Sequence, residues 1–542
     1  MDILTVFQHW TPPILLTLAW LVLPFFVGFS IYLLPQFSRP LALGVTLTSL
    51  VYGLCLCPTI ASQSFYLVGQ AGVTLTLDSL SGYFIITNAL VTLGVLVYCW
   101  HQGKTAFFYT QVIILEASVN AVFICGDFIS LYVALEVLSI AAFLLITYSR
   151  RDRTIWVGLR YLFVGNTAML FYLLGAILVY QRSHTFAFSG VSQASPDAIA
   201  LIFMGLLTKG GIFVSGFWLP LTHSESETPV SALLSGSVVK TGVFPLVRLA
   251  LLAPELDPLV RLFGVATALL GVTYAILAKD SKRMLAFHTI SQLGFILAAP
   301  IVGGFYALTH GLVKSALFLI AGNLPSRNFK TLKKIPLPFT LWLILALASF
   351  SISGVPLLAG FGAKALTVKN LLPWQELALN IAAVGTAISF AKFIFLPWQG
   401  TGGQFLSTLF FPRLWAPAIA GVTPTPTLTP TPTPNPSSAA ALTLATPPLE
   451  TPAATPLMLP SGLWPAMAIL LGGLVLGNGV YPAAYALKTL IKAGVTLGLG
   501  WCIYGFIVQR LTVKLPTGLE QFEHLIGIMG VMLIFILWKV MS

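Results

Sequence analysis

Four lysines lie in apolar sequence where a membrane would not keep an idle charge. Lys209 and Lys240 fall within residues 206 to 248, LLTKGGIFVSGFWLPLTHSESETPVSALLSGSVVKTGVFPLVR, while Lys314 lies in ALTHGLVKSALFLIAG and Lys364 in SISGVPLLAGFGAKALTV. A cation at the bilayer centre costs about 2.5 to 3.5 kcal/mol on insertion scales, so such a lysine needs a partner, water or a task. The task that suits lysine is proton exchange: a nearby carboxylate holds the ammonium charged, and its withdrawal releases the proton. Two carboxylates share the apolar region, Glu116 in FFYTQVIILEASVNAVF and Glu136 in DFISLYVALEVLSIAAFLL. Each is either a proton partner or a protonated packing group.

His310 and Lys314 are four residues apart and so stand on one helical face. Together with Glu136, Lys209, Lys240 and Lys364 they form the candidate proton relay. Glu116, His288 and Lys392 are auxiliary candidates. For His288, in MLAFHTISQLGFI, a simple hydrogen bond to a neighbouring helix competes with relay. For Lys392, and for Arg160, the competing reading is a stem that snorkels to the headgroups. No covalent catalysis is implied. The five cysteines form no CxxC pair and no iron–sulfur spacing, so no redox centre and no structural disulfide is expected. No catalytic residue, metal site or cofactor is assigned to this chain.

Glycine and proline crowd the same places. Gly210, Gly211, Gly216 and Pro220 follow Lys209, and Gly354, Pro356, Gly360 and Gly362 precede Lys364. Helices broken inside a membrane are tolerated where the freed backbone lines a cavity or packs on protein. Two such breaks in corresponding positions point to inverted repeats around a site at mid-membrane.

The elements that must hold these residues are membrane helices. Hydrophobic residues make up 57% and charged residues 8% of the 542, with mean hydropathy +0.92, which excludes a soluble domain. The net charge of +12 is no sign of nucleic acid, because the basic residues occur singly or in short clusters between apolar segments. Asp2 and the lack of a basic run or cleavage site lead us to expect that the first apolar segment is retained.

With about 20 apolar residues per crossing, the sequence gives sixteen helices. They fall near 12–34, 40–62, 80–100, 106–125, 128–148, 157–180, 197–219, 229–252, 258–278, 284–302, 304–322, 338–362, 374–397, 462–482, 486–509 and 525–541. The fold expected is an all-α polytopic membrane protein of about 14 to 16 transmembrane helices, with two broken helices and inverted five-helix repeats. Its expected divisions are N-terminal helices (1–105), a first and a second helix repeat (106–253 and 254–400), a Thr/Pro-rich cytoplasmic linker (401–461) and C-terminal helices (462–542). Placing the N-terminus outside puts fifteen lysines and arginines in inner loops against seven outside, so both termini are expected to face outward. The outer group includes Arg248 and Arg261, and the inner group Lys282. The run TPTPTLTPTPTPNPSS cannot form a helix and reads as an extended spacer.

The stretches WLPLTHSESETPVSALLSGSVVKTGVFPL, KDSKRMLAFHTISQLGFI and LTHGLVKSALFLIAG resemble the antiporter-like, proton-translocating subunits of respiratory complex I, including its photosynthetic relatives, and of multisubunit Mrp sodium/proton antiporters. The resemblance runs from about residue 80 to 400, and GDFISLYVALEVLSIAAFLL with PVSALLSG is more similar to the Mrp D-type subunit. It implies that Glu136 pairs with Lys209 on the broken seventh helix, and that Lys240 is the connecting lysine of the eighth. His310 and Lys314 would continue a hydrated axis to Lys364 on the second broken helix, with Glu116 an auxiliary carboxylate.

The resemblance implies proton and sodium movement within a hetero-oligomer of hydrophobic subunits in a bacterial inner membrane or thylakoid. The alternative is the proton-pumping subunit of an NAD(P)H- or ferredoxin-quinone oxidoreductase. Leu221 stands where many complex I subunits have an aspartate, Glu225 and Glu227 are present instead, and the linker and last two helices exceed the fourteen-helix core.

Overall fold

The computed structural model describes residues 12–58, 62–67, 73–399, 459–510 and 518–541. Helices α1 (Pro12–Leu33) and α2 (Ser38–Leu56) lead into a hairpin of β1 (Gln63–Tyr66) and β2 (Thr74–Leu77), antiparallel with Gln63 opposite Leu77. Then come α3 (Ser79–Cys99), α4 (Ala106–Ile124), α5 (Phe128–Ile146), α6 (Asp152–Ser183), the interrupted α7 (Pro196–Glu225) and α8 (Thr228–Leu252). The chain continues through α9 (Asp257–Leu277), α10 (Ser281–Ala298), α11 (Gly303–Ala321), the half-helices α12 (Phe339–Ser353) and α13 (Ala359–Lys369), and α14 (Pro373–Ile394). Helices α15 (Leu463–Leu476), α16 (Leu487–Phe506) and α17 (Phe522–Met541) complete it.

Among the described residues, 14 helices are long and apolar enough to cross a membrane. The α12/α13 pair and α10 bring the crossings to the sixteen read from sequence. Helix α10 falls short on apolarity because its 18 residues carry Lys282, Arg283, His288 and Gln292. The chain is an integral membrane protein.

The hairpin departs from the sequence reading; α2 stops at Leu56, short of the expected boundary, and the chain turns into it. Aspartates start three of the helices, since a carboxylate accepts the free N–H groups of a first turn. Asp78, Asp127 and Asp280 do this for α3, α5 and α10 by accepting from Ser81, Ser130 and Arg283.

Crossings α4 to α8 and the five made by α9, α10, α11, α12 with α13, and α14 share one feature: the fourth is interrupted. Five is an odd number of crossings, so the second set begins from the membrane face opposite the first. Helices α8 and α11 lie innermost, their apolar windows wholly buried. Helix α15 packs on α3 and α11, α16 on α14, and α17 on the first half of α7.

Several charges expected in loops are in helices. Arg248, in α8, is ion-paired with Asp78 and donates to Ser81 Oγ at 2.9 Å. Arg261, in α9, pairs with Asp257 and donates to the Ala298 carbonyl at 2.9 Å. Lys282, in α10, donates to the Ser226 carbonyl at 3.1 Å. Arg160 is buried rather than reaching headgroups, beside the Arg283–Glu520 ion pair. Up to residue 458, the Thr/Pro-rich linker lies outside the described residues.

Candidate proton path

The first break is built at Gly211. Helix α7 runs regularly to Gly210, and Gly211 then turns left-handed (φ +68°), its N–H reaching back to the carbonyls of Leu207 and Thr208. A tight 3₁₀ turn, Phe213–Trp218, precedes the resumed helix Leu219–Glu225. Groups freed by the break find side-chain partners, as an apolar medium demands. Trp218 Nε1 donates to the Thr208 carbonyl at 2.9 Å, and Thr267 Oγ1 accepts from the Phe213 N–H at 3.0 Å. Phe213 itself sits at φ +54°, a rare conformation for a residue with a Cβ.

Lys209 is buried just before this break, and its Nζ donates to Ser139 Oγ of α5, 5.9 Å from the ring centre of Tyr161. Glu136, one turn earlier on α5, lies close enough to feel the ammonium's charge. The two are coupled through charge without a direct ion-pair contact. Glu136 Oε1 is buried without a hydrogen bond.

Lys240 answers a different irregularity. In α8 the segment Leu234–Val238 widens to a π-turn, and Lys240 Nζ donates to the carbonyls of Ser235 and Gly236 at 3.0 and 2.6 Å. A π-turn offsets backbone carbonyls from their helical partners, and such turns recur at functional sites. Close approach is secured by glycine. A Cβ on Gly242 would fall on the backbone of Gly210, so α7 and α8 cross beside Lys209 and Lys240. A Cβ on Gly311 would lie 3.0 Å from the Gly236 carbonyl oxygen and 3.5 Å from Lys240 Cε, bringing α11 onto the same turn.

His310 adjoins Gly311 and lies within electrostatic reach of Lys240, Lys314 and His288. Lys314 is fully buried and donates to the Leu285 carbonyl of α10. His288, on α10, packs with its ring centre 4.7 Å from that of Phe390, and neither its ring nitrogens nor those of His310 have a hydrogen-bond partner among the described residues. A void of about 10 Å³ joins His310 to Lys364, with Gln292, Tyr306 and Thr309 in its wall. That is near the space one water needs.

The second break repeats the first in outline. Gly354 turns left-handed (φ +88°) after Ser353, and the stem of Lys364 folds back over it, Cδ lying 3.1 Å from where a Gly354 Cβ would stand. Lys364 Nζ is buried without a hydrogen bond.

Two candidates lie apart from this line. Glu116 accepts from Thr46 Oγ1 of α2 at 2.6 Å, in a polar seam that also holds Asn88, Asn120 and Ser49. Lys392 donates to the carbonyls of Ala275, Ile276 and Ala278 at 3.1, 2.6 and 2.8 Å, capping the end of α9. Its position is explained by that cap.

Sequence reasoning missed His223 and Ser139. His223 sits in THSESE, which reads as a polar loop, yet it is fully buried at the end of α7, stacked on Phe318 with ring centres 5.0 Å apart and both nitrogens unpartnered. Ser139 gives no signal, because a helical serine ordinarily bonds its own backbone, as it does here to Leu135 at 2.7 Å. Lys209, Lys240, His310 and Lys364 thus form a row of titratable groups with no carboxylate in ion-pair contact among the described residues, and one water-sized void lies in it, between His310 and Lys364.

The sequence pattern described as NADH:quinone oxidoreductase/Mrp antiporter, TM, matches residues 125–389. The N-type NADH-quinone oxidoreductase subunit of Desulforudis audaxviator is 30% identical over 426 residues, 69% of this chain and 84% of that protein. The D-type Na(+)/H(+) antiporter subunit of Alkalihalophilus pseudofirmus is 28% identical over 364 residues, 60% of this chain and 74% of that one. A chain of an archaeal membrane-bound sulfane sulfur reductase, a respiratory membrane complex, superposes with a TM-score of 0.68 at 20% identity, covering 90% of this chain and 99% of that chain.

Proposed function

Because the chain belongs to the NADH:quinone oxidoreductase/Mrp antiporter family of membrane subunits, we propose that it is the proton-translocating subunit of a multisubunit sodium/proton antiporter. One observation carries the reading. Lys240 and His310 are buried and the Nζ of Lys364 is shielded from solvent beyond them, with helices packed tightly enough at Gly311 and a gap small enough beside His310 to keep neighbouring stations in reach. Structural charges in a membrane protein are paired, as Arg248 is with Asp78. Lys364 and His310 are not, and unpaired titratable groups at mid-membrane mark proton paths.

In this account Glu136 and Lys209 form the first station. When Lys209 shifts from Ser139 towards Glu136 its proton is held, and when it returns the proton is released towards Lys240. His310 and the void beside it carry the proton to Lys364. The breaks at Gly211 and Gly354 supply the backbone freedom for these small movements. Lys314, one turn from His310, belongs to the same relay, Glu116 and His288 are kept as auxiliary groups, and Lys392 acts through its cap on α9. Partner subunits are hydrophobic membrane proteins, the membrane is a bacterial inner membrane or a thylakoid, and both termini lie on its outer side.

A second reading has its own support in the 30% identity to an oxidoreductase subunit: the same relay driven by quinone reduction on other chains. Mild-detergent purification followed by mass spectrometry of the co-purifying proteins separates the two. Small hydrophobic antiporter subunits without redox proteins support sodium/proton exchange, and iron–sulfur and quinone-site subunits support the redox pump.

A further inference from the structure

Lys364 borders a second cavity, about 400 Å³, between α13, α14 and α16. Among the described residues, four lysines line it, Lys364, Lys369, Lys488 and Lys492, against one carboxylate, Glu376. That carboxylate is already engaged, 2.8 Å from Lys492 Nζ. Lys369 lies over the Tyr481 ring at 6.0 Å, and Lys364 Nζ has no hydrogen-bond partner. Other parts of the wall are apolar, among them Phe361, Ala365 and Ala493.

Like charges gathered around one space repel one another and attract an anion, and they discourage a metal cation. Phosphate oxygens meet ammonium groups in short charge-assisted hydrogen bonds. The apolar wall and the setting between membrane helices favour a phosphate that carries acyl chains over a soluble one. Basic pockets between membrane helices take anionic headgroups on these grounds.

We propose that this cavity binds the phosphate of an anionic phospholipid headgroup, held by Lys369, Lys488 and Lys492. Since Lys364 shares the space, a bound phosphate stabilises its charged form and retards proton release from the last station. That consequence rests on the relay reading, whereas the binding does not.

The test uses the full chain in its assembly, delipidated in mild detergent and titrated with phosphatidylglycerol or phosphatidylcholine under native mass spectrometry. Wild type prefers phosphatidylglycerol, and K488Q/K492Q binds it about thirtyfold more weakly, while K488R/K492R retains it. The single Lys488→Gln variant leaves the Glu376–Lys492 pair intact and shows the same loss in smaller degree. Inorganic phosphate that fails to displace the lipid identifies the acylated ligand; phosphate that displaces it supports the same site with a soluble source. No preference for phosphatidylglycerol in wild type, or equal binding by wild type and K488Q/K492Q, overturns the proposal. Lipid binding that persists when Lys364→Ala leaves transport intact would retain the site and discard the relay.

Discussion

Lys209 donates its hydrogen bond to Ser139, one turn along α5 from Glu136, and leaves the carboxylate without an ion-pair partner. The ammonium thus has two acceptors on one helix face, one neutral and one chargeable. Ser139→Ala removes the neutral one. Hydrogen bonds to charged groups contribute about 1.5 to 3 kcal/mol, so the lysine should rest on Glu136 and transport should slow about tenfold, with assembly unchanged. Proton uptake by inverted vesicles measures this, and an unaltered rate would make Ser139 a bystander.

The crossing of α7 and α8 depends on glycine at 242, because the nearest obstacle to a Cβ is backbone and cannot turn aside. Gly242→Ala should cost about 1 to 3 kcal/mol as overpacking and lower the melting temperature of the detergent-solubilised protein. Gly472→Ala, where nothing lies within 4 Å of the new Cβ, is the control and should not lower it.

Lys392 and Lys364 should separate cleanly. Lys392→Met strips three carbonyls at the end of α9 of their donor and should lower thermal stability while leaving measurable transport. Lys364→Met removes a group with no hydrogen bond to lose and should abolish transport at little cost in stability. Comparing melting temperature with transport rate for the two variants checks this, and matching profiles would refute the distinction.

The Arg248–Asp78 pair ties α8 to the first turn of α3. Arg248 is buried and Asp78 partly exposed, so removing one member leaves a charge poorly solvated at a cost below the ~3 to 5 kcal/mol of a fully buried pair. Arg248→Met or Asp78→Asn should therefore reduce the amount of assembled protein. The double variant should recover much of the loss, and additive losses on immunoblots of native gels would argue against the pairing.

Much of this architecture is legible in the chain. Apolar runs of about 20 residues give the crossings, and Gly210–Gly211 and Gly354 with Pro356 give the breaks, because membrane helices have few other ways to stop. What escapes depends on distant packing. The π-turn at Leu234–Val238 is written as LSGSV, which differs little from an ordinary helix, and its trace is Lys240 bonding carbonyls four and five residues back. His223 is hidden because a polar string reads as solvent-exposed unless the burial is seen. Arg248 reads as a loop cation, since its partner Asp78 is 170 residues away. Glu136 and Lys209 do lie on neighbouring helices, but Ser139 as the resting acceptor needs coordinates.

The central claim is that buried amines carry the protons, and Lys209 tests it most directly. The measurement is proton translocation by proteoliposomes holding the purified complex with Lys209→Ala, after gel filtration has shown that all subunits remain assembled. The account predicts translocation at background, with Glu136→Ala behaving alike. An intact complex that moves protons at the wild-type rate without Lys209 would contradict it.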